Sequence, residues 1–244
     1  MLDSTVFNCR WLSAHDSGEL RLAPFTLVVS GAPVESEPDL IAGLAKRADY
    51  VCAVDSGADA LAQVGFTPDL LLGDFDSIDK TTLESFRAKG VQTQAYDAYK
   101  DATDTDLALN TLKEQGHAAI IGTRILGGRL DHELASLGSF AKAAEQDRAV
   151  AIVEQGETCL FLSSRSRYRR LMIDFSPEHT IGPTPSLISL IPWGGDAVVS
   201  INGVEWELDH SRLERFGTQG VSNIPKEEQV LVEAHTGLVI VILQ

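Results

Sequence analysis

The sequence predicts an α/β fold in which a doubly wound, mostly parallel sheet domain is followed by a smaller all-β sandwich domain. Between residues 25 and 155, short apolar runs alternate with helical patterns, and this alternation is typical of βαβ units and a parallel sheet. After residue 155, short strand-like runs follow one another with turn signals between them and no convincing helix. This second pattern favours a sandwich.

The elements of the first domain are predicted to alternate regularly along the chain. They are strand 25–29, helix 39–48, strand 50–54, helix 58–64, strand 70–72, helix 80–89, strand 91–94, helix 104–115, strand 118–122, helix 130–146 and strand 150–153. The 70–72 run is continuously apolar rather than alternating, and Pro68 precedes it. We therefore expect this strand to be buried on both faces.

The second domain, residues 156–244, is predicted from short runs separated by glycine-containing turns. Its strands are predicted at 187–191, 197–201, 205–208, 229–234 and 238–243. The basic cluster at 165–170 is expected to be a solvated loop at the domain junction. Residues 1–24 hold a small apolar patch and a polar turn, which predict an added hairpin or arm.

Composition limits the partners and the compartment. The 244 residues are 44% hydrophobic, enough for one large domain or two modest ones. The formal net charge of −15 disfavours nucleic acid and anionic membrane and favours a metal ion or a cationic small molecule. The three cysteines form no CxxC pair, no apolar run approaches the roughly 20 residues of a membrane span, and the N-terminus lacks a signal-peptide pattern. A soluble, cytoplasmic protein is therefore expected.

Two acidic residues follow the 70–72 run almost directly. Asp74 and Asp76 belong to a Gly-Asp-Phe-Asp-Ser motif at 73–77, and so lie at the carboxyl end of a buried strand. Ligands of open α/β sheets bind in the crevice outside these strand ends. The spacing also puts both acids on the same side of an extended chain. We therefore expect them to bind a cation.

Three further acidic motifs lie just after predicted strands or at helix starts. They are Asp-Ser-Gly-Ala-Asp at 55–59, Lys-Asp-Ala-Thr-Asp at 100–104 and Gly-Gly-Arg-Leu-Asp-His at 127–132. Parallel strands present their carboxyl ends at one edge of a sheet, so these acids can converge. Convergent carboxylates repel one another unless a hard cation neutralises them, and oxygen ligands without a cysteine cluster favour Mg²⁺ or Mn²⁺ over zinc. The sequence therefore predicts a divalent-metal site.

Each motif also has a purely structural interpretation. Thr103 can cap the helix that begins at Asp104, whose carboxylate then favours the helix dipole without any ligand. Asp131 can act in the same way at the start of its own helix, and the 55–57 segment can be only a tight strand-to-helix turn. Helix capping does not explain the motif at 73–77, and chance is a poor explanation for four such motifs in one order.

In this order, the four motifs resemble those of the thiamine pyrophosphokinase family, and a Thr-Gln-Gly-Val-Ser-Asn segment at 218–223 extends the resemblance into the β region. The resemblance covers roughly residues 25–244. It implies an α/β domain followed by a β-sandwich, and transfer of a diphosphoryl group from ATP to the hydroxyl of thiamine with release of AMP. It also implies a homodimer with active sites between the subunits. Two departures are Ser56, where the family often has glycine, and the arm at 1–24, which has no counterpart in the family.

The resemblance also assigns roles to residues at the matching positions. Mg²⁺ and the phosphates are expected at five acids, of which all but Asp101 are also expected to be catalytic: Asp74, Asp76, Asp101, Asp104 and Asp131. Arg129 and Lys100 are expected to contact phosphate, and Arg129 is also expected to be catalytic. The nucleotide site is further expected to include Asp55, Gly57 and Thr103. Because the sequence has no GxxxxGK[ST] loop, a metal held by carboxylates is expected to orient the phosphates of ATP.

Thiamine is expected to bind with help from the β domain. It carries a permanent cation, which an acidic cleft attracts, and its flat rings suit an aromatic neighbour. Trp193 and Trp206 are candidates for this contact, and Ser222 and Asn223 are candidates for polar contacts with the pyrimidine. Both tryptophans could instead belong to the sandwich core, where aromatic side chains are common.

Two other functions remain open from the sequence. Residues 70–78 also resemble the nucleophile strand of haloacid-dehalogenase-type phosphatases, in which Asp74 would form an aspartyl-phosphate and Asp76 would act as acid and base. Against this, that strand normally opens its domain, whereas two strand-helix units precede it here, and the β domain would be unexplained. The second alternative is a non-catalytic sensor that binds nucleotide or thiamine diphosphate.

Overall fold

A computed structural model describes residues 6–8, 24–33, 38–97, 101–175 and 186–244. Two compact units can be distinguished. The α/β unit comprises Pro24–Phe140 and Val150–Gln155, and the β unit comprises the described parts of Met1–Ala23, Ala141–Ala149 and Gly156–Gln244. No helix in these described ranges is both long enough and apolar enough to cross a membrane.

Five helices and fourteen strands make up the described chain. In chain order they are β1 (Val6–Asn8), β2 (Thr26–Val29), α1 (Pro38–Ala45), β3 (Tyr50–Val54), α2 (Gly57–Gln63), β4 (Leu70–Gly73), α3 (Lys80–Ala88), β5 (Gln92–Ala95), α4 (Asp104–Glu114), β6 (Ala119–Thr123), α5 (Leu130–Glu145), β7 (Ala149–Glu154), β8 (Glu157–Ser163), β9 (Arg170–Asp174), β10 (Ile188–Pro192), β11 (Ala197–Asn202), β12 (Leu208–Leu213), β13 (Gln229–Thr236) and β14 (Leu238–Leu243).

The strands of the α/β unit lie in the order β7-β6-β2-β3-β4-β5. Strand β2 pairs in parallel with β3 on one side and with β6 on the other, and β3–β4 and β4–β5 are parallel as well. The chain therefore builds the sheet outward from β2 in one direction and then returns to its other side. This reversal is the doubly wound pattern, which opens a ligand crevice at the carboxyl ends of the strands. The predicted α/β class is confirmed.

The strands of the α/β unit coincide with apolar runs that are buried in its core. Residues Leu70, Leu71 and Leu72 are all 0% exposed, which confirms the prediction that β4 is buried on both faces. Phe86 from α3 and Phe140 from α5 are also fully buried. Burying each such aromatic or aliphatic side chain stabilises the fold by roughly 1.5–3 kcal/mol before the entropic cost of ordering it.

The β unit consists of mostly antiparallel strands in two sets. One set is a five-stranded sheet in the order β1-β9-β13-β11-β12, and the other contains β10, β14 and β8. Strand β13 of the first set contacts β8 of the second, as expected for a sandwich. Within the predicted arm, Val6–Asn8 pairs in parallel with β9, while the remainder of residues 1–23 lies outside the described part of the chain.

Three details of the β unit differ from the sequence predictions. The strand predicted at 205–208 is wrong, because the chain bends there: Gly203 has a φ of 86°, and its amide donates to Glu207 Oε1 at 2.8 Å. Strands β8 and β9 were not predicted, and neither was β12 beyond Leu208. The basic cluster at 165–170 is not wholly a solvated loop, since Arg170 begins β9 and pairs with Glu233 of β13 at 3.3 Å.

Candidate active site

One cleft of the α/β unit collects residues from the ends of five strands. It has a volume of ≈ 510 Å³ and is lined by Ser30, Val54, Asp55, Asp74, Asp101, Ala102, Thr103, Asp104, Thr105, His132 and Ser136. In sequence these residues lie at or beyond the carboxyl ends of β2, β3, β4, β5 and β6. The parallel sheet therefore brings together side chains that are up to about a hundred positions apart, as the switch-point rule predicts.

Asp55 joins the end of β3 to the turn after β4. Its backbone has a φ of 46°, and Phe75 N donates to its Oδ1 at 3.4 Å. The carboxylate lies where a side chain on Gly73 would be, because a Cβ there would approach Oδ1 to 1.7 Å. Glycine at position 73, whose φ is 144°, is therefore needed to accommodate Asp55.

The turn that follows β4 is held in an uncommon backbone conformation. Phe75 has a φ of 63°, which is unfavourable for a bulky residue. The turn is closed by Asp76 N, which donates to Asp74 Oδ1 at 3.1 Å. Asp74 is half-buried and lines the cleft, whereas Asp76 is exposed and is not among the lining residues. Backbone strain of this kind is concentrated at functional sites.

The 101–105 segment, which leads into helix α4, contributes the largest share of the lining. Thr103 is its N-cap, accepting a hydrogen bond from Asp106 N at 3.1 Å, so the capping interpretation of this residue is confirmed. Asp101 and Asp104, on either side of the cap, both line the cleft. Lys100, which the sequence places in the same motif, lies outside the described residues.

Helix α5 begins with an ion pair. Arg129 Nη2 donates to Asp131 Oδ2 at 2.6 Å, and both side chains are well exposed. The hydrogen bond from Arg129 lowers the pKa of Asp131 below its usual range. Neither residue is among those that line the cleft, whereas His132 and Ser136 of the same helix are. In this structure, therefore, Asp131 is paired with Arg129 and is not gathered with the other acids.

The sequence prediction differs from the cleft lining at several residues. Ser30 and Ser136 line the cleft and were not predicted to. Ser30 could have been found, because it follows β2, the strand from which the sheet order reverses. Gly57 is not among the lining residues. It allows the start of α2 to lie against the end of β2, since a Cβ on this residue would lie 2.0 Å from Val29 O.

The chemistry of the lining residues fits a hard divalent cation. Four carboxylates face the cleft, from Asp55, Asp74, Asp101 and Asp104, and no lysine or arginine is found among its described lining residues. Oxygen donors of this type suit Mg²⁺ or Mn²⁺. Within the described ranges, no three His, Cys, Asp or Glu side chains are arranged to hold a metal by themselves. In phosphoryl-transfer sites, Mg²⁺ is usually bound through one or two carboxylates together with substrate phosphates and water.

In the β unit, the predicted thiamine residues form a small structural cluster of their own. Asn223 is only 4% exposed, and its amide accepts hydrogen bonds from Trp206 N at 3.1 Å and Ile224 N at 2.9 Å. The same amide donates to Trp206 O at 2.7 Å. These bonds satisfy the buried amide without a ligand and fix the main chain of Trp206.

The two tryptophans differ in exposure. Trp206 is 58% exposed, so the alternative that it belongs to the sandwich core is wrong. Trp193 is half-buried. Ser222, the neighbour of Asn223, has a φ of 59°, and its amide donates to Ser189 Oγ at 2.9 Å. The indole of Trp206 is therefore the more accessible of the two for stacking on a flat ligand.

Two family models match this chain. The first, "Thiamin pyrophosphokinase, catalytic domain", matches residues 41–152, a range that contains most of the cleft lining. The second, "Thiamin pyrophosphokinase, vitamin B1 binding domain", matches residues 173–239.

Individual relatives agree with the family models. The chain is 30% identical to Thiamine pyrophosphokinase 1 of Arabidopsis thaliana over 189 residues, which is 74% of this chain and 67% of that protein. It is 30% identical to Thiamine pyrophosphokinase of Bacillus subtilis over 206 residues, covering 80% of this chain and 87% of that protein. The crystal structure of the Bacillus subtilis thiamine pyrophosphokinase superimposes with a TM-score of 0.76 at 24% identity, covering 90% of this chain and 98% of that one.

Proposed function

Because the chain belongs to the thiamin pyrophosphokinase family, we propose that it transfers a diphosphate group from ATP to the hydroxyl of thiamine, giving thiamine diphosphate and AMP. The observation that carries this proposal is the cleft at the strand ends, where motifs distant in sequence present four carboxylates. The comparisons favour neither a phosphatase nor a sensor.

The proposed cofactor is Mg²⁺, held with the phosphates of ATP by Asp74, Asp101 and Asp104, which line the cleft. Asp76 and Asp131 do not line it, but they belong to the same sequence motifs as lining residues and are proposed to take part as well. When bound, Mg²⁺ neutralises charge on phosphate oxygens and orients them. The four carboxylates of the cleft lining support this proposal, because their negative potential attracts a cation.

The chain's own residues supply positioning. Asp55 holds the turn that carries Asp74, through its bond to Phe75 N. Thr103 fixes the start of α4, which carries Asp104. Arg129, whose guanidinium is exposed and which lies three positions before the cleft-lining residue His132, is proposed to contact phosphate, as is Lys100. Placing reacting groups in this way supplies much of the rate enhancement in phosphoryl transfer.

For thiamine, we propose stacking on Trp206 and polar contacts near Ser222 and Asn223. The exposure of the Trp206 indole and the rigid hydrogen bonding of its main chain by Asn223 support this assignment. A preordered aromatic surface binds a flat ring at a lower entropic cost than a mobile one.

We also propose a homodimer with active sites at the subunit interface, located in the cytoplasm. Exposed apolar side chains support the dimer: Leu130 is 68% exposed and Leu134 is 49% exposed, one turn apart on the helix that carries His132. The buried free thiols of Cys52 and Cys159 support a reducing compartment.

The deciding experiment is an assay of AMP release by the purified protein with Mg²⁺ and ATP, with and without thiamine. We expect AMP to form only when thiamine is present, together with an equal amount of thiamine diphosphate. Inorganic phosphate together with a phosphoenzyme intermediate would instead identify a phosphatase. Binding of ATP or thiamine diphosphate by calorimetry without turnover would identify a sensor.

A further inference from the structure

Two glutamates accept hydrogen bonds from every backbone amide of the 124–128 loop, which lies between β6 and Arg129. Glu154, the last residue of β7, accepts hydrogen bonds from the first three amides of the 124–128 loop at 2.9, 2.7 and 3.1 Å. Glu133, in the first turns of α5, accepts from the last two at 2.9 and 2.6 Å. Five consecutive N–H groups therefore point at two carboxylates.

The other side of the same loop is held by the segment that follows β2. Ala32 N donates to Arg124 O at 3.0 Å, and Arg124 Nη2 donates to Ala32 O at 2.8 Å. Gly128 lies so close to Pro33 that a Cβ on Gly128 would approach Pro33 Cδ to 2.8 Å. The loop is thus fixed between the carboxylates on one side and the 32–33 segment on the other.

We propose that Glu154 and Glu133 are positioning residues, which set the direction of Arg129 toward the phosphates of the nucleotide through this loop. The inference rests on the proposed function, because it assumes that Arg129 contacts phosphate. Arg129 directly follows the five fixed amides, so its own backbone position depends on them. A side chain that is held from its backbone loses less entropy when it binds its ligand.

The residue type matters at both positions. A carboxylate offers two oxygens and a negative charge, and charge-assisted hydrogen bonds are about twice as strong as neutral ones. Glutamine offers one oxygen and turns an NH₂ group toward amides that can only donate. Glu154 accepts through both oxygens, so Glu154→Gln removes an acceptor from the loop. Glu133 accepts both of its bonds through Oε1, so Glu133→Gln keeps an acceptor but removes the charge that strengthens them. Both changes keep the size of the side chain.

The first test measures hydrogen exchange of the 124–128 amides in the full-length protein. We expect slow exchange in the wild type and exchange at least about tenfold faster in either variant. Glu154→Gln leaves one amide without its acceptor, and Glu133→Gln weakens two charge-assisted bonds by removing the charge. The matched control is Glu84→Gln, at an exposed position on α3, which should leave these amides unchanged. Unchanged exchange in both loop variants would overturn the proposal.

The second test asks whether the effect passes through Arg129. The probe is α,β-methylene-ATP with Mg²⁺, which cannot release AMP because a carbon replaces the oxygen bridging the α and β phosphorus atoms. We expect Glu133→Gln and Arg129→Ala each to weaken its binding about tenfold, and the double variant to bind no more weakly than Arg129→Ala alone. If the two losses of affinity multiplied in the double variant, positioning through Arg129 would be contradicted.

Failure of the proposed function would look different. If the wild type bound the analogue but formed no AMP from ATP and thiamine, the transferase proposal alone would fail. If it formed AMP with thiamine while the losses multiplied, the positioning proposal alone would fail. In the active enzyme, positioning through Arg129 also predicts a lower kcat/KM for ATP and an unchanged KM for thiamine in Glu133→Gln.

Discussion

The carboxylate of Asp55 occupies the space that any side chain at position 73 would need, since a Cβ on Gly73 would lie 1.7 Å from Asp55 Oδ1. This relationship couples the ends of two neighbouring strands, β3 and β4. It also explains why glycine precedes the two acids of the 73–77 motif. The geometry of Asp74 therefore depends on a residue nearly twenty positions earlier in the chain.

Replacing Gly73 by alanine should lower the free energy of unfolding by about 2–4 kcal/mol, because it adds a steric clash to a backbone conformation that is unfavourable for other residues. The measurement is urea denaturation. Gly90→Ala is the matched control: its φ of 79° is also unfavourable, but a Cβ there would meet nothing within 4 Å. The control should lower the free energy of unfolding by about 1 kcal/mol. Equal losses in the two variants would show that Asp55 moves aside and that the predicted clash does not form.

Removing the cap of α4 should destabilise the protein moderately. Thr103→Ala deletes the oxygen that accepts from Asp106 N, and we expect a loss of about 1 kcal/mol in the free energy of unfolding. Thr103→Ser keeps an acceptor and should retain most of the stability. Chemical denaturation of both variants checks this, and a similar loss in the two would contradict a capping role.

The thiol of Cys52 should be unreactive in the folded protein. Cys52 is fully buried, and desolvation raises its pKa to about 12. At pH 8 almost none of it is the nucleophilic thiolate. Alkylation by iodoacetamide, followed by peptide mass spectrometry, should leave Cys52 unmodified in the native state and modify it fully in guanidinium chloride. Rapid native modification would show that β3 opens more readily than its burial implies.

The pair at the start of α5 predicts a specific pH dependence. The hydrogen bond from Arg129 lowers the pKa of Asp131 in the folded state. The ion pair therefore stabilises the folded protein fully above the pKa of an unfolded aspartate, about 4. This stabilisation is lost as the pH falls through the lower pKa of Asp131 in the folded protein. Arg129→Gln should therefore raise the pKa of Asp131, as measured by carbon-detected NMR titration. The control Arg47→Gln also removes one positive charge, just after α1, and should leave the pKa of Asp131 unchanged.

The sequence predicted the α/β elements well, because their signals are local. The continuous apolar run of β4, the cap at Thr103 and the alternation of strands and helices are all visible within short windows. Sequence position relative to strand ends also sufficed to place Asp55, Asp74, Asp101 and Asp104 in one cleft.

What the sequence could not predict depends on contacts between distant segments. Arg170, the last residue of the basic cluster, lies in strand β9, where it pairs with Glu233 of β13. The bonds of Glu154 and Glu133 to the 124–128 amides depend on side-chain directions, which no motif records. Asp131 reads like the other acids in sequence, yet in the structure it is paired with Arg129.

The most direct test of the whole account compares Asp74→Asn with the wild type in thiamine-dependent AMP formation. Asparagine keeps the volume of the half-buried side chain but removes its charge, so the melting temperature should hardly change while turnover falls about a hundredfold or more, as expected for loss of a metal ligand. Asp39→Asn, at an exposed position in the first turn of α1, should retain full activity. Wild-type turnover in Asp74→Asn would contradict the central claim that the carboxylates of this cleft hold the metal and phosphates during the reaction.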